Sequence, residues 1–135
     1  MDGDSRLGAT HEALRLGREK KIAPLEVLKR VVEGQVTVPL RAPPELVGGR
    51  IAGWDPALLS KPDGSAWLVA FTSLEGLEGF CEANPEYETY ARVDTRWVVD
   101  HLADNLGIVF NPQSGDMLQW SAEGRARFRQ DFPPG

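Results

Sequence analysis

A chain of 135 residues with 41% apolar and 26% charged side chains has the size of one ordinary domain, too short for two cores side by side but apolar enough to offset the entropy of ordering. Fifteen Lys and Arg against twenty Asp and Glu give a net charge of −5, which repels phosphate backbones and anionic lipid and argues against nucleic-acid and membrane partners. The single Cys81 excludes an intrachain disulfide, residues Met1 to Arg6 lack the apolar stretch of a secretory signal, and no uncharged apolar run approaches the ~20 residues that span a bilayer, so the expected location is the cytoplasm.

In chain order, residues 10–21 carry Ala13, Leu14 and Leu16 among charges and predict a helix, weakened by Gly17. Residues 24–33 predict a second: Pro24 suits a first helical position, Leu25, Leu28 and Val32 form a stripe, Glu26 and Arg30 are spaced to pair, and Gly34 supplies a left-handed stop. Gln35 to Leu40 alternates as a strand, and Pro39, which cannot donate to a ladder, predicts a sheet edge. Residues 41–64 hold four prolines and four glycines, which forbid a long regular element beyond a turn of helix near Pro56 to Leu59. The segment also holds Leu46, Val47, Ile51, Trp54, Leu58 and Leu59, too much apolar surface to leave in water, so it is expected to pack over the sheet or a partner site.

The unbroken apolar run Ala66 to Phe71 predicts a central strand, and Thr72-Ser73-Leu74-Glu75 fits a capping box in which Thr72 and Glu75 cap a helix with Leu74, Leu77, Phe80 and Cys81 inward, ended by Asn84-Pro85. Thr89 to Val93 reads as a half-buried strand and Asp94 as the cap of a helix reaching Asp104, with Trp97, Val98, His101 and Leu102 inward. Gly107 to Phe110, the turn-rich 111–116 and Met117 to Trp120 predict a hairpin; residues 121–130 then predict a last helix with Ala122, Ala126 and Phe128 inward and Arg125 and Arg129 outward, before a frayed Pro133-Pro134-Gly135. The sum is an α+β fold, a small mixed sheet of about five strands with helices packed on it, in one domain over residues 1–135.

Val36-Thr37-Val38-Pro39, the Asp63-Gly64 turn, Trp67-Leu68-Val69-Ala70-Phe71-Thr72-Ser73 and Gly107-Ile108-Val109-Phe110-Asn111-Pro112, taken in that order and spacing, resemble the SseB N-terminal-domain family over roughly Ala23 to Trp120. The most specific pieces are Phe71-Thr72-Ser73 and Asn111-Pro112. The resemblance implies a bacterial α+β domain from a family with no established reaction, cofactor or catalytic residues. The chain departs from the family pattern in the long 41–64 segment and in ending without the second domain that some relatives carry.

No catalytic, metal or cofactor motif stands out. Cys81 with His101 is the only pair that could be drafted as a thiol enzyme, yet both fall on apolar helix stripes where such residues serve as core or boundary groups. Asp100, His101 and Asp104 share a predicted helix without the spacing of a zinc or calcium site. Surface recognition remains. Arg50 and Trp54 are the residue types that anchor interfaces, while Phe71, Thr72, Ser73, Asn111 and Pro112 lie at strand ends, where open sheets place their clefts. The leading expectation is a non-enzymatic interaction or accessory module that binds another protein through the Trp54 loop and those strand ends. The alternatives are a small-molecule binder or small enzyme with a pocket between residues 41–64 and the sheet, and a self-associating structural domain.

Overall fold

Two helices open the fold: α1 spans Asp2–Arg18 and α2 spans Pro24–Glu33, in a computed structural model that describes residues 2–112, 114 and 117–133. Gly17 marks where the two helices meet, since a β-carbon there would lie 2.5 Å from Val27 Cγ2. α1 ends in a Schellman turn: Lys21 N–H donates to Leu16 O at 2.9 Å and Lys20 N–H to Gly17 O at 3.0 Å, with Lys20 left-handed at φ 59°. α2 begins at Pro24 and carries the Glu26–Arg30 pair at 3.0 Å. Its buried stripe is Val27, Val31 and Val32 rather than the expected one, and Leu25 is exposed. Gly34 is extended at φ −99° rather than left-handed, because the chain runs directly from α2 into a strand.

The remaining elements are β1 (Gln35–Leu40), β2 (Glu45–Val47), β3 (Arg50–Gly53), β4 (Leu58–Ser60), β5 (Ala66–Ala70), α3 (Leu74–Ala83), β6 (Thr89–Asp94), α4 (Thr95–His101), β7 (Leu106–Phe110), β8 (Leu118–Trp120) and α5 (Ala122–Asp131). Four strands pair in the order β4-β5-β7-β8, with β5 and β7 parallel and the outer pairs antiparallel; β1 pairs antiparallel with β6 along its whole length. Reciprocal bonds between Thr37 and Phe71, at 2.9 and 2.8 Å, join the two groups. β1 is therefore internal, not the edge that Pro39 suggests. The N–H groups of Thr37 and Arg41 point to the Phe71 and Asp55 side, so the missing Pro39 donor falls where β1 changes partner, and its carbonyl still accepts from Ala57 N–H at 2.9 Å.

Residues 41–64 are more regular than their composition suggests. β2 and β3 form a hairpin around Gly48 and Gly49, both at positive φ (60° and 79°), the requirement of a tight two-residue turn. The expected helical turn near Pro56 is instead extended chain entering β4. Ile51 and Trp54 pack down on the core, but Leu46, Val47, Leu58 and Leu59 stay exposed.

The sheet is covered on both faces. Leu68, Ala70, Ile108 and Phe110 face a large core shared with α1, α2, α4 and α5, while Trp67, Val69, Phe71 and Val109 face a smaller core closed by Leu77 of α3 and by Tyr87. Three further helix faces differ from expectation. On α3 Leu74, expected inward, is exposed, and Leu77 is the buried residue. On α4 the buried side is Thr95, Val98, Val99 and Leu102, leaving His101 exposed and stacked on Trp97. On α5 Ala126 is exposed and Arg125 is 1% exposed. The Arg125 guanidinium donates to the carbonyls of Val99 (2.7 Å), Leu102 (3.2 Å), Leu106 (3.1 and 3.2 Å) and Ala103, which collects the C-terminal end of α4 and its exit. The hairpin β7–β8 forms as expected; Gln113, Gly115 and Asp116 of its turn, and Pro134 and Gly135, lie outside the described residues. Among the described residues no helix is long and apolar enough to cross a membrane.

Candidate functional site

A parallel strand pair brings its two C-terminal ends to the same height, and here those ends carry Phe71-Thr72-Ser73 after β5 and Asn111-Pro112 after β7. Asn111 adopts φ 52°, a conformation asparagine tolerates because its carboxamide can bond locally. Its N–H continues the ladder to Ala70 O at 2.8 Å. Its side chain crosses to the neighbouring strand end: Oδ1 accepts from Thr72 N–H at 2.9 Å and Nδ2 donates to Thr72 Oγ1 at 2.8 Å. His11, from α1, completes the cluster with Nδ1 2.8 Å from Thr72 Oγ1.

Thr72 and Asn111 are 3% and 5% exposed. The cluster is thus a latch between two strand ends rather than an open reactive centre: the Thr72 hydroxyl is shielded and engaged from two sides. The helix cap falls to Ser73, whose Oγ accepts from Gly76 N–H at 3.2 Å. This corrects the capping box, in which Thr72 has that role.

Beside the latch lies a groove of about 670 Å³. Val69 and Val109 form its floor, and Gly76, Gly79, Phe80 and Ala83 form one wall, the i, i+3, i+4, i+7 face of α3. Leu59 and Met117, both exposed, stand at the rim. Of the residues singled out from the sequence, Phe71, Ser73, Asn111 and Pro112 line this groove and Thr72 lies behind it. Arg50 and Trp54 do not line it. Trp54 is half-buried and set edge-on against Trp97 at 5.1 Å, and Arg50 is exposed at the start of β3. The expected combination of the Trp54 loop with the strand ends therefore separates into two places.

The draft thiol pair also separates. Cys81 belongs to the smaller core with α3, where burial raises its pKa, whereas His101 stacks on Trp97, which packs on the large core. A raised pKa leaves less thiolate, the opposite of an activated nucleophile. Asp100 is held by Arg96 at 3.0 Å and Arg129 at 3.8 Å, and Asp104 by Arg129 at 3.3 Å. Among the described residues no group of three or more His, Cys, Asp or Glu gathers as a metal site would.

Sequence reasoning misses His11, Gly79 and Met117, and names Leu59 only as one of the apolar residues of the 41–64 segment. His11 leaves no local signal, because its partner lies 61 residues away. Gly79 does leave one: a glycine inside a helix costs ~1 kcal/mol relative to alanine, and a β-carbon there would meet nothing within 4 Å, so packing does not require it.

No curated protein and no solved structure matches the chain. The sequence model of the SseB protein N-terminal domain matches residues 11–124, a span that contains the latch, the groove and both strand ends, and the chain belongs to the SseB family.

Proposed function

We propose that this chain is a non-enzymatic protein-interaction module, an accessory or regulatory factor that receives an apolar segment of a partner in the groove between α3 and the sheet. The observation that carries the reading is the shape and lining of that groove: an apolar floor, exposed Leu59 and Met117 at the rim, and a wall opened by Gly79. Exposed apolar rims around a concave site are the usual mark of a recognition surface. The polar groups at its head support the same reading, since Thr72 and Asn111 are engaged with each other rather than directed at a substrate.

The volume of about 670 Å³ also suits a small molecule, which is the second reading. One comparison separates them. The wild type, Gly79→Phe, Leu59→Asp and, as a distant control, Leu46→Asp are used as baits in native extract after their melting temperatures are matched. A protein retained by the wild type and Leu46→Asp but lost by both groove variants supports the module. Loss with Leu46→Asp alone moves the surface to the β2–β3 hairpin. Identical captures by all four baits, together with a metabolite that raises the melting temperature of the wild type but not of Gly79→Phe, establish the small-molecule reading instead.

A further inference from the structure

A second trough, of about 880 Å³, lies on the opposite side of β8. Leu14, Ile22, Leu28, Leu118 and Trp120 give it apolar walls. Its lining includes Met117, Leu118, Gln119 and Trp120 without a gap. Side chains of a strand alternate between faces, so the presence of all three β8 residues, Leu118 to Trp120, in the lining means that the trough meets the edge of β8, the last strand on that side of the four-stranded sheet.

The direction of the β8 peptides follows from its neighbour. Asn111 N–H donates to Ala70 O, so alternate β7 peptides face β5 and those of Ile108 and Phe110 face β8. Ile108 stands opposite Trp120 and Phe110 opposite Leu118. Leu118 and Trp120 therefore bond to β7, and the Gln119 N–H and C=O turn outward, into the trough. That is the arrangement to which an extended segment adds as a further strand.

The rim states the charge of such a segment. In a chain of net charge −5, this trough is bordered by Arg18, Lys20 and Lys21. Glu19 between them is held by Arg15 at 2.7 Å and lies 3.9 Å from Lys21. Lys20 occupies a left-handed position at φ 59°, where glycine would be free of strain. We propose that this trough binds an extended acidic peptide segment of a partner protein, which pairs with the Gln119 peptide, sets apolar side chains between α1, α2 and β8, and places its carboxylates on Arg18, Lys20 and Lys21. This surface meets the groove under α3 only at Met117 and Gln119, and the proposal does not rest on that groove being occupied.

The test is an NMR titration of the isotope-labelled chain with a short peptide of valine-rich centre flanked by glutamates, a lysine-flanked counterpart, and octanoate as a small amphipathic anion. The expected result is binding of the acidic peptide alone, shifts at Ile22 and residues 118–120, and slowed hydrogen exchange of the Gln119 amide. Lys20→Gly with Lys21→Gln is expected to weaken binding about tenfold and flatten its salt dependence. Gln119→Pro, which removes the outward N–H together with an exposed side chain that accepts from Lys61 on the sheet, is expected to weaken it comparably with Arg18, Lys20 and Lys21 intact. Circular dichroism confirms that both variants fold. Failure of the acidic peptide to bind, equal binding of the lysine-flanked peptide, binding of octanoate at the same residues in its place, or wild-type affinity in both variants overturns the proposal.

Discussion

Arg125→Met is the sharpest test of how the α4–α5 corner is held. The substitution keeps an unbranched apolar stem and removes the guanidinium of a residue that is 1% exposed and donates to four carbonyls. The bonds to Val99 O and Leu102 O are fully buried, and a buried acceptor left without a donor costs about 1–3 kcal/mol. Two of them therefore cost about 2–6 kcal/mol. Part of this is offset because the folded wild type must desolvate the cation, a penalty visible in the lowered Arg125 pKa, which burial causes first and the nearby Arg129 second. The net expectation is a loss of about 3 kcal/mol. With an unfolding entropy of about 2.1 cal/mol/K per residue over 135 residues, that lowers Tm by about 10 °C. Arg125→Lys is expected to recover little, because one ammonium cannot span four carbonyls in the plane that a guanidinium fits. Urea unfolding followed by circular dichroism measures the change, with the m-value unaltered. An Arg125→Met chain within about 1 kcal/mol of wild type would falsify the view that this cation organises the end of α4.

Asn111→Ala removes both bonds to Thr72 and forces a β-branch-free but non-glycine residue to hold φ 52°; a loss of about 2–3 kcal/mol in urea unfolding is expected, with Asn111→Gly recovering the backbone part. Gly107→Ala places a β-carbon 2.5 Å from Trp67 Cε3 and 2.8 Å from Trp120 O, so a loss of about 2 kcal/mol or more, accompanied by a shift in tryptophan emission, is the expected result. Gly79→Ala meets nothing within 4 Å and is expected to stabilise the chain by about 0.5–1 kcal/mol; a destabilised variant would mean that the α3 wall is packed rather than open.

Elements whose cues are local were legible in the sequence. Pro24 starts α2, Asn84 ends α3, and the turn-rich segment after Phe110 joins β7 to β8. What depended on distant partners was not. Pro39 suggests an edge only if the side of its missing donor is unknown, and that side is set by Phe71 and by residues 55–57. Arg125 suggests a solvated face by charge, yet it lies three residues before the buried Phe128, on the same helical stripe. That spacing was the available signal; the carbonyls that make its burial tolerable come from α4 and the chain after it. Gly48-Gly49 is a tight-turn signature, obscured by the prolines around it. For the site, the strand-end residues were legible because turns and caps use distinctive side chains. The rim was not, because an exposed Leu59 or Met117 has no local mark.

The same distinction governs what family membership conveys. The pieces most specific to the family resemblance, Phe71-Thr72-Ser73 and Asn111-Pro112, include the latch residues Thr72 and Asn111, which bond to each other and are nearly inaccessible. Their chemistry is used in holding parallel strand ends together. Such residues identify a fold and restrict its ligand very little. In the proposed readings, recognition rests instead on groups that solvent can reach: Leu59 and Met117 beside one groove, Lys20 and Lys21 beside the other, and the Gln119 peptide. Met117 and Gln119 border both hollows. A segment added along the edge of β8 would therefore fix the rim of the groove under α3, and occupation of either hollow is expected to alter affinity for the other.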